Sequence, residues 1–340
     1  MSTERTRHTT TATTPPPVRA GVIGVGSMGQ NHARVYNELP GVDLVGVTDH
    51  DASVAQQVAT EYGTAALEFD ALLSECDVVT VAVPTHAHYE TVSTCLDAGV
   101  HVLVEKPIAQ TVEEGRALAE QAREAGLVLQ VGHIERFNPA VQTVMELIDD
   151  LDVISLEAER LGPPVDRTAR DDVIFDLMVH DVDIVGSILD GPPSTINAIG
   201  TDDGQYATAT MQYDDVVASL TASRVTQKKV RKLTVTAREC LVEVDYLEQS
   251  VLIYRDSYPE YLTDDGPNRY RHESVVENAR VDNGEPLRHE LESFVKTVQT
   301  GVEPAVTAED GVMALQTVQD IAALAADETP HREREREVEA

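Results

Sequence analysis

From Val18 to about Gly132 the chain alternates short aliphatic runs with amphipathic stretches. The runs VRAGVIGV (18–25), VDLVGVT (42–48), DVVTVAV (77–83), VHVLVE (100–105) and LVLQVG (127–132) lack sustained polar alternation, as parallel strands covered on both faces require. Between them the pattern predicts helices near 28–39, 51–62, 68–75, 89–98 and 112–125. Boundary residues agree: Pro40-Gly41, Gly63, Gly99 and Gly126 stop four of these helices, and Thr111-Val112-Glu113-Glu114 is a capping box ahead of the last. The repeated strand-helix order with short connections predicts an α/β fold, a right-handed doubly wound parallel sheet.

Beyond Phe137-Asn138-Pro139 the period changes. A helix over about 139–149, a strand over 154–160 and a helix over 173–189, closed by Gly191-Pro192-Pro193, come first. From 195 to about 255 several segments alternate with period two, among them 208–213, 216–223, 231–237 and 241–246. They predict a C-terminal α+β domain with a large, mostly antiparallel sheet buried on one face. Residues 258–285 are rich in turn formers, and two helices follow: 287–300, ended by Gly301, and 308–326, begun by Thr307.

Composition narrows the class. A chain of 340 residues has the length for two cores. No run of 18 apolar residues is present, so no transmembrane helix is expected, and residues 1–17, Thr/Pro-rich and without the apolar centre of a signal peptide, read as a disordered tail of a cytoplasmic protein. The charged stretch 327–340 reads as a second tail. Cys76, Cys95 and Cys240 are odd in number and contain no CxxC pair, which predicts neither a disulfide framework nor a cysteine zinc site. With 59 acidic and 26 basic residues the net charge is −33, which disfavours nucleic acid and anionic membranes as partners. The carboxylates are dispersed, only five basic residues are Lys and 4% of residues are aromatic. That pattern suits a very salty, halophilic cytosol, where a short Debye length screens self-repulsion.

Candidate chemistry collects at predicted strand ends. Gly24-Val25-Gly26-Ser27-Met28-Gly29 is a G-x-G-x-x-G between a strand and a helix, with Asp49 20 residues past Gly29 at the end of the second strand. Such glycines allow a tight turn and close approach to a pyrophosphate, and the acid accepts ribose hydroxyls, which predicts a dinucleotide site. No Lys or Arg follows Asp49, so NAD is favoured over NADP. Val83-Pro84-Thr85-His86-Ala87-His88 follows the third strand. Its two histidines lack an acidic or Cys partner at metal-ligand spacing, so no metal is expected and the turn is assigned to the dinucleotide edge. In Glu105-Lys106-Pro107, Pro107 biases Lys106 toward an extended backbone that aims its amine off the strand end. Asp176 and His180 stand four apart in a predicted helix, a spacing at which the carboxylate can orient the imidazole. Lys228, Lys229, Arg231 and Lys232 concentrate positive charge in a strongly acidic chain. On a strand, Lys229 and Arg231 would share one face. They would meet either neighbouring carboxylates or an anionic substrate.

Together GVIGVGSMGQNHAR, VPTHAHYE, the VEKP run and DLMVHDVDI resemble, in order and spacing, the Gfo/Idh/MocA family of nicotinamide-dependent sugar and cyclitol dehydrogenases, over about Arg19 to Ala326. The resemblance implies an N-terminal Rossmann domain (18–133), onto which the helix 307–326 packs back, and a substrate and oligomerisation domain (134–306) whose sheet builds a homodimer or homotetramer. It implies a catalytic group of Lys106, Asp176 and His180. Gly24, Gly26, Ser27, Met28, Gly29, Asp49, Pro84, Thr85, His88, Glu105 and Lys106 are expected around NAD. GHIERFNPAV, DLMVHDVDI and KVRKLTVTARECLVEVDY resemble the UDP-N-acetylglucosamine 3-dehydrogenase branch, which places Lys106, Arg136, Asn138, His180, Lys229 and Arg231 against a UDP-sugar. The rival readings are a free-sugar or inositol dehydrogenase and a catalytically silent dinucleotide-binding regulator.

Overall fold

A computed structural model describes residues 16–164, 172–256, 260–262, 269–271 and 274–327. The tails expected at 1–17 and 327–340 fall almost wholly outside them. Strands β1 (Val18–Ile23), β2 (Val42–Thr48), β3 (Ala65–Ala66), β4 (Val78–Val81), β5 (His101–Glu105) and β6 (Leu129–Gly132) pair in parallel in the order β3-β2-β1-β4-β5-β6. Helices α1 (Ser27–Glu38), α2 (Ala52–Tyr62), α3 (Phe69–Glu75), α4 (His88–Asp97) and α5 (Val112–Ala125) cover its faces. Because successive strands are buried on both sides, one face packs Val79, Val81, Val102 and Val104 against α4 and α5. The other packs Val22, Leu44, Val47 and Leu103 against Val35 and Tyr36 of α1. The chain leaves β1 in one direction and returns through β4 in the other, which opens a crevice at the carboxyl ends of both. Strand β3, two alanines long, has no counterpart in the hydrophobic pattern.

The second sheet is built from β7 (Val153–Leu161), β8 (Thr195–Gly200), β9 (Tyr206–Tyr213), β10 (Val216–Ser223), β11 (Val230–Ala237), β12 (Leu241–Asp245), β13 (Ser250–Asp256) and β16 (Ser274–Asn278). A separate two-stranded ladder joins β14 (Glu260–Leu262) and β15 (Arg269–Arg271). The large sheet runs β16-β13-β12-β11-β7-β10-β9-β8, antiparallel throughout except where β7 meets β10. Helices α6 (Pro139–Ile148) and α7 (Val179–Ile188) lie on one face, over Leu156, Ala158, Leu220, Leu233 and Val235. The predicted helix over 173–189 is not uniform: Ile174–Met178 is π-helical and only then does α7 begin.

Two terminal helices join the sheets. Helix α8 (Pro286–Thr300) inserts Leu287, Leu291, Phe294 and Val295 into the core shared with α1, while α9 (Ala308–Asp327) packs against α5, α7, β6 and β8. Among the described residues no helix is long and apolar enough to cross a membrane.

Candidate active site

The glycine loop is shaped by what a Cβ would meet. Gly24 takes φ +83°, and a Cβ on Gly29 would lie 1.9 Å from the Gly24 carbonyl oxygen, so the loop folds onto the start of α1 only with glycine at both. Gly26 differs: a Cβ there meets nothing within 4 Å. It is the N-cap of α1 and offers no side-chain acceptor, so the amides of the first turn, through Ser27, Met28 and Gly29, are left for an anion. Asp49 closes the loop. Its Oδ2 accepts the Val25 N–H at 2.8 Å, and its Oδ1 accepts the Asp51 N–H at 3.0 Å. Gly24, Gly26 and Asp49 border a cleft of about 970 Å³ that also includes Thr48, His50, Phe69, Ala82, Pro84 and His86. The open space at Gly26, the uncapped amides and the fixed carboxylate fit a dinucleotide.

A second cleft of about 580 Å³ shares Pro84 and His86 with the first and adds Thr85, Lys106, Pro107, Phe175, Asp176 and Leu315. Lys106 reaches across it from the end of β5. Its Nζ donates to the Asp176 main-chain oxygen at 2.8 Å and to Asp176 Oδ1 at 3.1 Å. The other Asp176 oxygen accepts from Arg224, a buried residue just past β10 that the sequence reading missed. No hydrogen bond joins Asp176 to His180. Ile174–Met178 is π-helical, so the α-helical spacing that would pair Asp176 with His180 does not run unbroken between them.

His180, at the start of α7, is partly buried, with Nδ1 buried and unpartnered. Burial, followed by the cations Lys106 and Arg160, holds its pKa well below the usual 6.5. The imidazole is therefore neutral at neutral pH. Its helix is anchored by two buried ion pairs that sequence also missed. Arg160 of β7 donates from Nε and Nη2 to Asp181 at 2.8 and 2.9 Å and from Nη1 to Glu135 at 2.7 Å. Arg136 donates from Nε and Nη2 to Asp183, both at 2.8 Å.

Several expected contacts take other roles. Arg136 is buried and committed to Asp183. Asn138 caps α6, its Oδ1 accepting the Ala140 N–H at 3.1 Å while its Nδ2 donates to the Tyr246 carbonyl at 3.1 Å. Both side chains are buried with these partners. His88 is buried, with Nδ1 2.8 Å from the Pro107 carbonyl and Nε2 2.9 Å from that of Val83, so it ties the two strand-end loops together and His86 lines the cleft instead. Glu105 turns inward to His32 of α1 at 2.7 Å. Burial, the largest single influence, works against its charge, but the hydrogen bond to His32 together with the nearby charges of His32 and Lys106 and the Lys106 amide outweighs it and keeps the carboxyl below its usual range. The basic cluster divides: Lys229 is exposed ahead of β11, Lys232 stands opposite Glu159 and Asp245, and Arg231 faces inward opposite Arg160. Arg231 is half-buried and donates only to the carbonyls of Leu161 and Val230.

Residues 18–133 match the model of the Gfo/Idh/MocA oxidoreductase family, described as having an NAD-binding Rossmann fold. UDP-N-acetylglucosamine 3-dehydrogenase from Acidithiobacillus ferrooxidans is 39% identical over 243 residues, 70% of this chain and 77% of that protein. The chain belongs to the Gfo/Idh/MocA family. A solved structure of the Acidithiobacillus enzyme superposes with a TM-score of 0.82 at 32% identity, over 91% of this chain and 98% of that one. The inositol 2-dehydrogenase of Rhizobium meliloti is 26% identical over 88% of this chain and 94% of its own length. As a Gfo/Idh/MocA member the chain is an oxidoreductase, with sugar and cyclitol dehydrogenases among its relatives.

Proposed function

We propose that this oxidoreductase uses NAD to oxidise a secondary alcohol of a sugar ring, with the 3-hydroxyl of a UDP-N-acetylhexosamine as the preferred reading. The observation that carries it is Lys106, held by Asp176 in a cleft that shares Pro84 and His86 with the dinucleotide cleft. NAD bound in the first cleft would supply the hydride acceptor. Lys106 hydrogen-bonds the reacting oxygen and stabilises alkoxide charge, and Asp176, shared between Lys106 and Arg224, fixes the amine. Neutral His180 takes the hydroxyl proton. Asp49 favours NAD because a carboxylate there repels a 2′-phosphate.

Two observations favour a nucleotide sugar. One is the identity to the Acidithiobacillus enzyme; the other is Arg231, a half-buried cation whose partners are carbonyls, which with exposed Lys229 offers charge to a diphosphate. The inositol dehydrogenase relative keeps a free cyclitol as the second reading. The acidic surface fits a saline cytoplasm.

The test is NADH formation with UDP-N-acetylglucosamine, N-acetylglucosamine and inositol in concentrated salt. The nucleotide sugar should be the one turned over. Lys106→Ala and His180→Ala should each lower turnover about 100-fold or more while NAD binding persists. Near-normal turnover in both variants would remove the catalytic assignment, and activity on inositol alone would transfer it to the second reading.

A further inference from the structure

His32 is fully buried on α1, the helix that the glycine loop opens, and its Nε2 lies 2.7 Å from Glu105 Oε1 at the end of β5. A carboxylate only accepts, so the ring donates. The carboxylate has little room to turn elsewhere. A Cβ on Gly132 of β6 would lie 3.3 Å from its other oxygen, Oε2, and its negative charge reaches buried Glu290 of α8. Besides His32, the cation whose charge acts on Glu105 is Lys106, the next residue in the chain, whose Nζ is bonded to Asp176. Removing His32 would not release α1, because Tyr36, one turn on, keeps its own hydrogen bond to Thr80 of β4 at 3.0 Å. Burying an acid and an imidazole here adds little stability that a well-packed apolar pair would not. What an apolar pair could not do is decide where the Glu105 charge sits.

We propose that His32 is a positioning residue for Lys106: it holds the Glu105 carboxylate against α1 and so leaves the neighbouring amine to Asp176 and the reacting oxygen. The inference rests on the reading of Lys106 as the group that hydrogen-bonds that oxygen. Without the imidazole, the Glu105 carboxylate stays enclosed with Lys106 as the cation in reach, and an uncompensated buried charge recruits the nearest opposite one. An ammonium claimed by Glu105 is drawn from Asp176 and holds its proton more firmly. Fully buried, His32 borders neither cleft and acts only through Glu105.

The reactivity of the amine tests this without substrate or dinucleotide. The full chain is treated at about pH 8 with limiting acetic anhydride, which acetylates unprotonated amines, and the rate at Lys106 is read by peptide mass spectrometry. His32→Leu should acetylate at Lys106 about fivefold more slowly than the wild type. Its turnover should fall about tenfold or more, while its NAD dissociation constant, measured by calorimetry, stays within about twofold. His32→Gln, which keeps an N–H donor near the place of Nε2, should stay within about threefold of the wild type in labelling and turnover. Adding Glu105→Gln to His32→Leu removes the charge that captures the amine and should restore the labelling rate, which a packing defect would not allow. His32→Asn, polar but too short to reach Glu105, should label as His32→Leu does and gives the same comparison where the apolar variant fails to fold. An unchanged rate in these variants, or a slow rate that persists in the double variant, would overturn the proposal. Turnover of none of the sugars by the wild type would instead remove the role of Lys106, and this inference with it.

Discussion

Gly26 and Gly29 stand three residues apart in one loop and answer to different constraints. At Gly29 the limit is internal, since a methyl group would overlap the Gly24 carbonyl. At Gly26 the backbone is already in a region that alanine adopts, φ −67°, and the space beyond is open, so only a ligand needs that space. Gly29→Ala should cost about 3 kcal/mol or more of folding stability, the upper part of the range for overpacking. Gly26→Ala should melt within a degree or two of the wild type yet bind NAD at least about tenfold more weakly. Thermal melts paired with dinucleotide titrations separate the two, and an alanine at Gly26 that leaves NAD affinity intact would remove the pyrophosphate from this loop. His180 teaches the same lesson about neighbours. Its neutrality comes from burial and from Lys106 just past β5 and Arg160 on β7, residues more than 15 positions away in sequence that no local spacing rule brings together.

At the scale of elements, the sequence was most legible where the signal is local. Aliphatic runs, Gly63 and Gly126 in left-handed conformation, and the reciprocal hydrogen bonds of Thr111 and Glu114 all appear where the pattern predicts them. It was least legible where an element's partner decides its role. Arg136 and Asn138 looked like substrate contacts because polar residues follow a strand end, but Asp183 and the Tyr246 carbonyl, far along the chain, claim them. Helix α8 read correctly as a helix, yet its periodicity could not say that its apolar stripe enters the core around α1. Glu290 lies on that stripe, three residues after Leu287 and four before Phe294, and is carried in with neither carboxylate oxygen bonded. Burial, reinforced by Glu105 and Asp183, raises its pKa well above 4.5. The folded chain thus keeps a proton that the unfolded chain releases, and stability is lost as pH rises from about 4.5 toward the raised folded value. Glu290→Gln should stabilise by about 1–3 kcal/mol near neutral pH, because it removes the cost, up to about 1.4 kcal/mol per pH unit, of holding a proton above the ordinary carboxyl range, and by much less near pH 4.5. Urea denaturation at the two pH values measures this, and an increment that does not depend on pH would show that ionisation is not its source.

Across the whole molecule, a net charge of −33 opposes any association, yet among the described residues the helices pack on one face of the eight-stranded sheet and leave the other open. Its rows are dominated by threonine and serine, including Thr208, Thr210, Ser219, Thr221, Thr234 and Thr236, around Glu157 and Glu159. Ile199, Tyr206 and Val217 stand exposed among them, at 62%, 39% and 37%. A broad, flat face of small side chains with exposed aliphatics is suited to burial against a second copy of itself. Association brings two strongly acidic surfaces together, so it should depend on screening. The Debye length falls from about 10 Å at 0.1 M salt to about 3 Å at 1 M, which confines repulsion to near neighbours. Light scattering should therefore find a homodimer or homotetramer in molar KCl and dissociation toward monomer at low salt. Val217→Glu, placed beside β7 near the middle of the face, adds a like charge at the contact and should keep the protein monomeric in molar KCl with an unchanged circular dichroism spectrum. A wild-type monomer at every salt concentration, or an oligomer indifferent to this substitution, would mean that the face serves no such contact.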